Sequence, residues 1–365
     1  MAEILESPEL RLPKASKNKS PRRPRRSSKK ASNTVGSTKA KVKNTVTKSP
    51  PKPDWQRKLT RRINASWRDV KSVLDGNEYK LSKNALYVQA DALGLCGLLP
   101  DNSVHAVVTD PPYGLIEYNE KNLSKRRNGK GGVWRIPPSF DGVKRAPLPR
   151  FTVLSETELE KLADFFKDFA QSLERILVPG GHVIIASNPL LSTLTFNSFI
   201  GAGLEKRGEF IRRVQTLRGG YRPKGAESNF PDVSVMPRSC FEPWGIFRKP
   251  FTGTVANNLR EWGAGGLRRP ENGDPVKDVI MCSPTGAKEK KIAPHPSLKP
   301  QRFMRQIVRA SLPLGQGLVL DPFAGSGSTL AAAQAVSYRS LGIERENEYV
   351  EMARGAFSSL SQLKT

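Results

Sequence analysis

Beyond about residue 55 the chain alternates between two hydrophobic periods. Ala85-Leu86-Tyr87-Val88-Gln89-Ala90-Asp91 is a short apolar run ending in an acid, the pattern of a buried strand. Val104 to Thr109 repeats it after the turn Pro100-Asp101-Asn102-Ser103. From Ser155 to Val178 the period changes. Leu159, Leu162, Phe165, Phe166, Phe169, Leu173, Ile176 and Leu177 fall at helical spacing, and Pro179-Gly180-Gly181 ends the run. His182 to Ala186 is the next strand. The rhythm resumes late in the chain with a strand over Gly317–Asp321, a helix over Thr329–Val336, a strand over Ser340–Glu344 and a helix from about Asn347 to Phe357. Strands alternating with helices predict an α/β domain on a parallel sheet.

Two loop-rich stretches interrupt this rhythm, at 116–150 and 250–290, and no internal repeat is visible. Residues 11–52 are dominated by Lys, Arg, Ser and Pro and hold no aromatic residue, so they cannot bury enough apolar surface to offset their ordering entropy. The expected organisation is a disordered basic tail (1–60), an α/β half (61–249) with a basic loop, a loop-rich stretch (250–290) and a second α/β half (291–365).

Charge narrows the partner. The 365 residues carry 60 Lys and Arg against 34 Asp and Glu, a net +26. The first 62 residues hold 19 bases and 4 acids, so the remaining 41 and 30 leave the body basic as well. A polyanion is the expected partner, although charge alone does not separate nucleic acid from an anionic membrane. No run of about 18 apolar residues suggests a membrane span, and no secretory signal is visible. Cys96, Cys240 and Cys282 are isolated and form no metal-binding pair, so a reduced, cytoplasmic protein without metal is expected.

Two motifs carry chemistry. Asp321-Pro322-Phe323-Ala324-Gly325-Ser326-Gly327-Ser328-Thr329 lies between a strand and a helix, where glycines let backbone approach a ligand. Glu344 ends the next strand, placed to accept hydrogen bonds from a ribose. An adenosine-containing ligand fits this pattern; a tight structural turn is the alternative. Thr109-Asp110-Pro111-Pro112-Tyr113-Gly114 follows a buried strand. Its prolines fix φ and remove two backbone donors, leaving rigid acceptors beside an acid and a flat aromatic face. Those parts suit an amino group on a planar base. His105 and His182 lie in strands and are expected to pack. Asp91 suits a helix N-cap for the stretch that follows it. Ser187 and Asn188 are expected at the edge of the pocket.

Together these residues resemble the amino-methyltransferases of DNA. Asp110-Pro111-Pro112-Tyr113 resembles their catalytic motif, the 321–329 run their cofactor motif, and Gly342-Ile343-Glu344 the acidic motif that follows it. His295-Pro296-Ser297-Leu298-Lys299-Pro300 is similar to a further cofactor motif. The catalytic motif precedes the cofactor motif, as in the β class, which implies a catalytic half (61–249), a candidate target-recognition insert (250–290) and a cofactor-binding half (291–365). The resemblance implies a Rossmann-like class I methyltransferase fold and S-adenosylmethionine as cofactor. It places Asp91, His295, Lys299, Asp321, Pro322, Phe323, Gly325, Gly327, Ser328 and Glu344 beside that cofactor. It implies double-stranded DNA as substrate and admits a homodimer and a cognate restriction endonuclease. Lys125, Arg126, Arg127, Arg218, Arg222, Lys224, Arg268 and Arg269 are the expected phosphate contacts. The expected reaction is direct methyl transfer to N6 of a flipped adenine. Cytosine N4 is the alternative target, and a silent DNA-binding protein on the same scaffold a more distant one. No cysteine follows a proline, which argues against the covalent chemistry of cytosine C5 methylation. All of this requires the Asp110 corner and the Gly325 turn to share a cleft.

Overall fold

The computed structural model describes residues 53–113, 154–214, 220, 222–295 and 297–365. The first 52 residues, the whole basic loop 116–150 (with Lys125, Arg126 and Arg127) and Arg218 lie outside the described residues. Helix α1 spans Asp54–Leu74, so helix begins inside the segment expected to be tail.

Among the described residues nine strands form one sheet: β1 (Glu78–Ser82), β2 (Ala85–Gln89), β3 (Val104–Thr109), β4 (Leu177–Ala186), β5 (Glu205–Arg213), β6 (Phe241–Arg248), β7 (Val279–Met281), β8 (Leu318–Asp321) and β9 (Arg339–Glu344). Their order is β1-β2-β9-β8-β3-β4-β6-β5-β7. The five strands from β2 to β4 are mutually parallel. β1 pairs antiparallel with β2, and β6 runs antiparallel to both β4 and β5. The sheet is therefore mostly parallel, as the resemblance to a Rossmann-like class I methyltransferase implies.

Burial on both faces explains the apolar runs. Every residue of β3 is buried, and its side chains alternate between layers. Val107 joins a cluster with α3 (Glu156–Ile176) and α4 (Ser192–Gly201), while Ala106 and Val108 join one with α7 (Gln301–Ser311). β4 divides in the same way, with Val183 and Ile185 on the first side and Ile184 and Ala186 on the second. α3 starts at a capping box in which Ser155 and Glu158 satisfy each other's backbone N–H groups. It buries Leu162, Phe166, Phe169, Leu173 and Ile176, each contributing about 1.5–3 kcal/mol by area. The remaining described helices are α2 (Ala92–Leu98), α5 (Val255–Trp262), α6 (Ala287–Ile292), α8 (Ser328–Ala335) and α9 (Asn347–Ser361).

One expectation changes. Pro179-Gly180-Gly181 does not separate α3 from a strand. It lies within β4, which pairs Leu177 with Val104, breaks register, and resumes with His182 opposite Ala106. Gly180 takes φ +78°, which lets the strand bulge there. Residues 250–290, the candidate target-recognition insert, hold α5 and β7. α5 packs on α1, and the Asn258 amide donates to the carbonyls of Pro179 and Ala264. β7 extends the sheet beside β5. The stretch leaves β6 after Arg248, opposite His182, at the edge where the parallel strands begin.

His105 and His182 are buried, as packing residues should be. Burial, helped by Arg339, pushes the His105 imidazole down to about 4. Its Nδ1 accepts from Leu318 N at 3.3 Å. A histidine depressed in the fold takes up its proton first in the unfolded chain, so its contribution to stability falls as pH drops below about 6.5. Between pH 6.5 and 4 the stability of His105→Gln relative to wild type should therefore improve by about 1.4 kcal/mol per pH unit. Urea unfolding of both proteins at pH 7, 6 and 5 checks this; a pH-independent difference would refute it.

Candidate active site

Parallel strands present their carboxyl ends along one edge, the usual place for a ligand in an α/β sheet. β3 and β8 are neighbours, so Thr109 and Asp321 end side by side. Thr109 Oγ1 donates to Asp321 Oδ1 at 2.7 Å, across 212 residues of sequence. The amide of Phe323 donates to the same oxygen at 3.1 Å. The Asp110 corner and the glycine turn therefore share an edge and a hydrogen bond.

The turn is held from several sides. Gly325 N donates to Glu344 Oε2 at 2.9 Å, and the Tyr87 hydroxyl donates to Gly325 O. Gly325 has φ +49°, and a Cβ there would come 3.1 Å from His295 Nε2. His295 lies edge-on to Tyr349 with centroids 4.3 Å apart, and its Nδ1 accepts from Ser297 N. Burial, then the charge of Lys299, lowers its pKa to about 4, so it stands neutral against the turn. Gly327, at φ +80°, caps α8, which opens at Ser328. Pro322 is buried, and Phe323 turns its ring into the α3 aromatic cluster, 5.1 Å from Phe169.

Asp91 lies two residues past β2, whose last residue Gln89 pairs with Glu344 of β9, and its carboxylate caps α2 by accepting from Gly94 N at 2.9 Å. The N-cap reading describes its contact; its exposure leaves the side chain open to solvent. Ser187 and Asn188 follow β4 at the same edge and are buried.

Asp110 is the electrostatic centre. Tyr113 donates its hydroxyl to Oδ1 at 2.7 Å, and Lys299 donates to Oδ2 at 2.5 Å. Lys299, expected beside the cofactor, thus reaches the acid of the other motif. Its ammonium also lies 3.2 Å from Glu242 Oε1. Glu242 is bound in turn by Arg212 and by the indole N–H of Trp244, both at 3.1 Å. Burial raises the Asp110 pKa against the pull of Lys299. Burial would raise Glu242 too, but Lys299 and Arg212 outweigh it and hold the group at about 2. Lys299 remains charged, because its two carboxylates outweigh its burial.

Glu242 and Arg212 escaped the sequence reading. The available signal was a charge at an inward strand position on each of two neighbouring segments: Arg212 shares a face with Phe210, and Glu242 with Trp244. The basic residues separate into two groups. Arg222 and Lys224 are exposed on the connection from β5 to β6, which leaves and returns at the carboxyl edge. Arg268 lies at the opposite end: its amide donates to Ala310 O and its guanidinium to the hydroxyl of Tyr338, just before β9. Arg269 donates to Gly273 O nearby. Among the described residues no group of His, Cys, Asp and Glu could hold a metal, and no helix is long and apolar enough to cross a membrane.

Burial lifts the Asp321 carboxyl to about 6 despite its hydrogen bonds. A raised acid favours the fold below its unfolded pKa and loses that contribution as pH rises through about 6. Asp321→Asn keeps an acceptor for Thr109 and Phe323 and removes the charge. It should gain up to about 3 kcal/mol at pH 8, a gain that shrinks toward pH 5. Thermal unfolding across that range checks the sign.

The family signature described as DNA methylase matches residues 246–355. The type II methyltransferase M2.LlaDCHI of Lactococcus lactis subsp. cremoris is 36% identical over 283 residues, 77% of this chain and 92% of that protein. M.HindIII of Haemophilus influenzae is 25% identical over 280 residues, 70% of this chain and 89% of that protein. The match to M2.DpnII of Streptococcus pneumoniae reaches 38% identity but spans 88 residues, 24% of this chain and 32% of that protein. Among solved structures, a DNA modification methylase from Thermus thermophilus is similar, with a TM-score of 0.48, 20% identity, and coverage of 77% of this chain and 97% of that one. With more than a third of positions shared across nearly the whole Lactococcus enzyme, the chain belongs to the N6/N4 DNA methylase family.

Proposed function

We propose that this protein transfers the methyl group of S-adenosylmethionine to N6 of adenine in double-stranded DNA, and that the base leaves the helix to be modified. The observation that carries this reading is the anchored Asp110 carboxylate, which sits beside Asp321 and the glycine turn on a neighbouring strand. The ligand side of the edge fits that cofactor. Glu344 and Asp321 end the neighbouring strands β9 and β8, and Asp91 follows the next one, β2, by two residues. Their carboxylates suit a molecule that carries a sulfonium, an ammonium and ribose hydroxyls.

When bound, S-adenosylmethionine supplies a methyl already activated by the sulfonium, so the protein's part is positioning and polarisation. An exocyclic amino nitrogen is a weak nucleophile because its lone pair is delocalised into the ring. Asp110 and the Pro111 carbonyl accept its two N–H bonds and favour a pyramidal nitrogen. An ionised carboxylate offers about four lone-pair sites, so Asp110 keeps acceptor capacity beyond Tyr113 and Lys299. Tyr113 stands next to the base, and Asp110 is the nearest group to receive the proton that the nitrogen sheds. Glu344, Gly325 and His295 shape the cofactor side. Arg222 and Lys224 contact phosphate and help offset the cost of extruding the base; the sequence assigns the same role to Lys125, Arg126, Arg127 and Arg218.

Asp110→Ala should lower tritiated methyl transfer to unmethylated DNA by about a hundredfold or more, the scale for losing a group that acts mainly in the transition state. Near-normal transfer would remove Asp110 from the mechanism. Mass spectrometry of nucleosides from the treated DNA should show N6-methyladenine; N4-methylcytosine would redirect the assignment.

A second measurement separates the basic groups. Arg222→Ala with Lys224→Ala should weaken DNA binding and reduce the slope of log affinity against log salt by about 0.9 for each phosphate no longer neutralised. Arg268→Ala, at the far edge, should leave that slope unchanged and lower stability by removing a partner of Tyr338. A slope insensitive to the first pair, or sensitive to Arg268, would reverse the placement of the DNA.

A further inference from the structure

The Lys299 ammonium stands between two carboxylates, 2.5 Å from Asp110 Oδ2 and 3.2 Å from Glu242 Oε1. Glu242 is fixed from behind. Arg212 and the Trp244 indole both donate to its Oε2. Arg212 and Glu242 are register partners across β5 and β6, so the sheet itself sets their positions. Arg212 also donates to Ser283 O at 3.3 Å and lies over the Phe303 ring. Its side chain is 7% exposed and that of Lys299 10%, so these charges have largely left water.

Buried ion clusters are costly, and apolar residues of similar volume often replace them without loss of stability. Hydrophobic neighbours are abundant here, Trp244 and Phe303 among them. Packing alone does not call for four alternating charges ending on Asp110.

We propose that Glu242, backed by Arg212, is a positioning residue for methyl transfer: by sharing the Lys299 ammonium it fixes the orientation of the Asp110 carboxylate and limits how tightly that carboxylate is neutralised. A lysine held by Asp110 alone would close onto it and occupy the acceptor capacity that the amino group needs. A lysine pulled fully to Glu242 would leave Asp110 buried and protonated. The titratable and charged groups facing Asp110 are Lys299, Glu242, Tyr113 and Asp321; Arg212 and His295 face Lys299.

The test has one arm that does not need activity. Carbon NMR of labelled aspartate follows the Asp110 carboxyl, assigned by its loss in Asp110→Asn. Glu242→Gln removes a charge that raises Asp110 and frees Lys299, so the Asp110 midpoint should fall by about one pH unit. Arg212→Gln leaves Glu242 a stronger competitor for Lys299, so the midpoint should rise. Shifts in opposite directions are a signature that general loosening of the fold does not produce. If Glu242→Gln does not fold, Glu242→Asp serves, with a smaller change of the same sign. The kinetic arm rests on the methyl-transfer reading. There Glu242→Gln should lower kcat about tenfold with KM for S-adenosylmethionine within about twofold, and move the acid limb of kcat to lower pH. Unchanged midpoints, or shifts of one sign in both variants, would overturn the proposal. Failure of wild-type methyl transfer with the two NMR shifts intact would instead overturn the assigned reaction.

Discussion

A carboxylate kept beneath the protein surface needs a compensating charge, and most of the site follows from that need. Asp110 sits at the end of a fully buried strand because β3 runs through the middle of the sheet. Its desolvation raises its pKa, and Lys299 opposes the rise. Lys299 is buried in turn and stays charged through its two carboxylates. The second carboxylate draws in Arg212 from the next strand. Each group is tolerable only because of the next, so removing one member leaves a buried charge uncompensated.

The sequence made the centre of the fold legible because period and burial coincide there. β2, β3, β8 and β9 are short apolar runs closed by Asp or Glu, or leading directly into one, and α3 carries a clean helical stripe. The far side of the sheet was harder to read. β5 is Glu205-Lys-Arg-Gly-Glu-Phe-Ile-Arg-Arg213, mostly charged and more exposed, with weak alternation. β6 holds Pro243 and Gly245, two residues that ordinarily argue against a strand. Gly245 fits because a Cβ there would meet the rings of Phe196 and Phe247 at 2.7 Å, a packing constraint that local sequence does not carry. In 250–290 glycines and mixed charges likewise concealed a helix docked on α1.

Within the site, motifs revealed what lies at the ends of parallel strands and little of what supports them. Asp110, Asp321, Gly325 and Glu344 are brought together as their positions suggested. The contact from Lys299 to Asp110 was hidden, because it joins two motifs that the resemblance gives to different jobs. Arg268 shows the opposite failure. A basic pair in a glycine-rich stretch looks like a phosphate contact, yet strand direction carries it to the remote edge, where it binds Tyr338.

The interleaving of β8 and β9 bears on how the chain is made. These strands come from the last fifty residues or so, yet they fill the gap between β2 and β3 in the middle of the sheet. Until they emerge from the ribosome, a growing chain holds two central strands with unpaired backbone and apolar faces, an invitation to pair with other chains. The Thr109–Asp321 bond can form only when that gap is filled. Completion of the sheet and assembly of the reaction centre are thus one late event, and a chain cut short before β8 has neither.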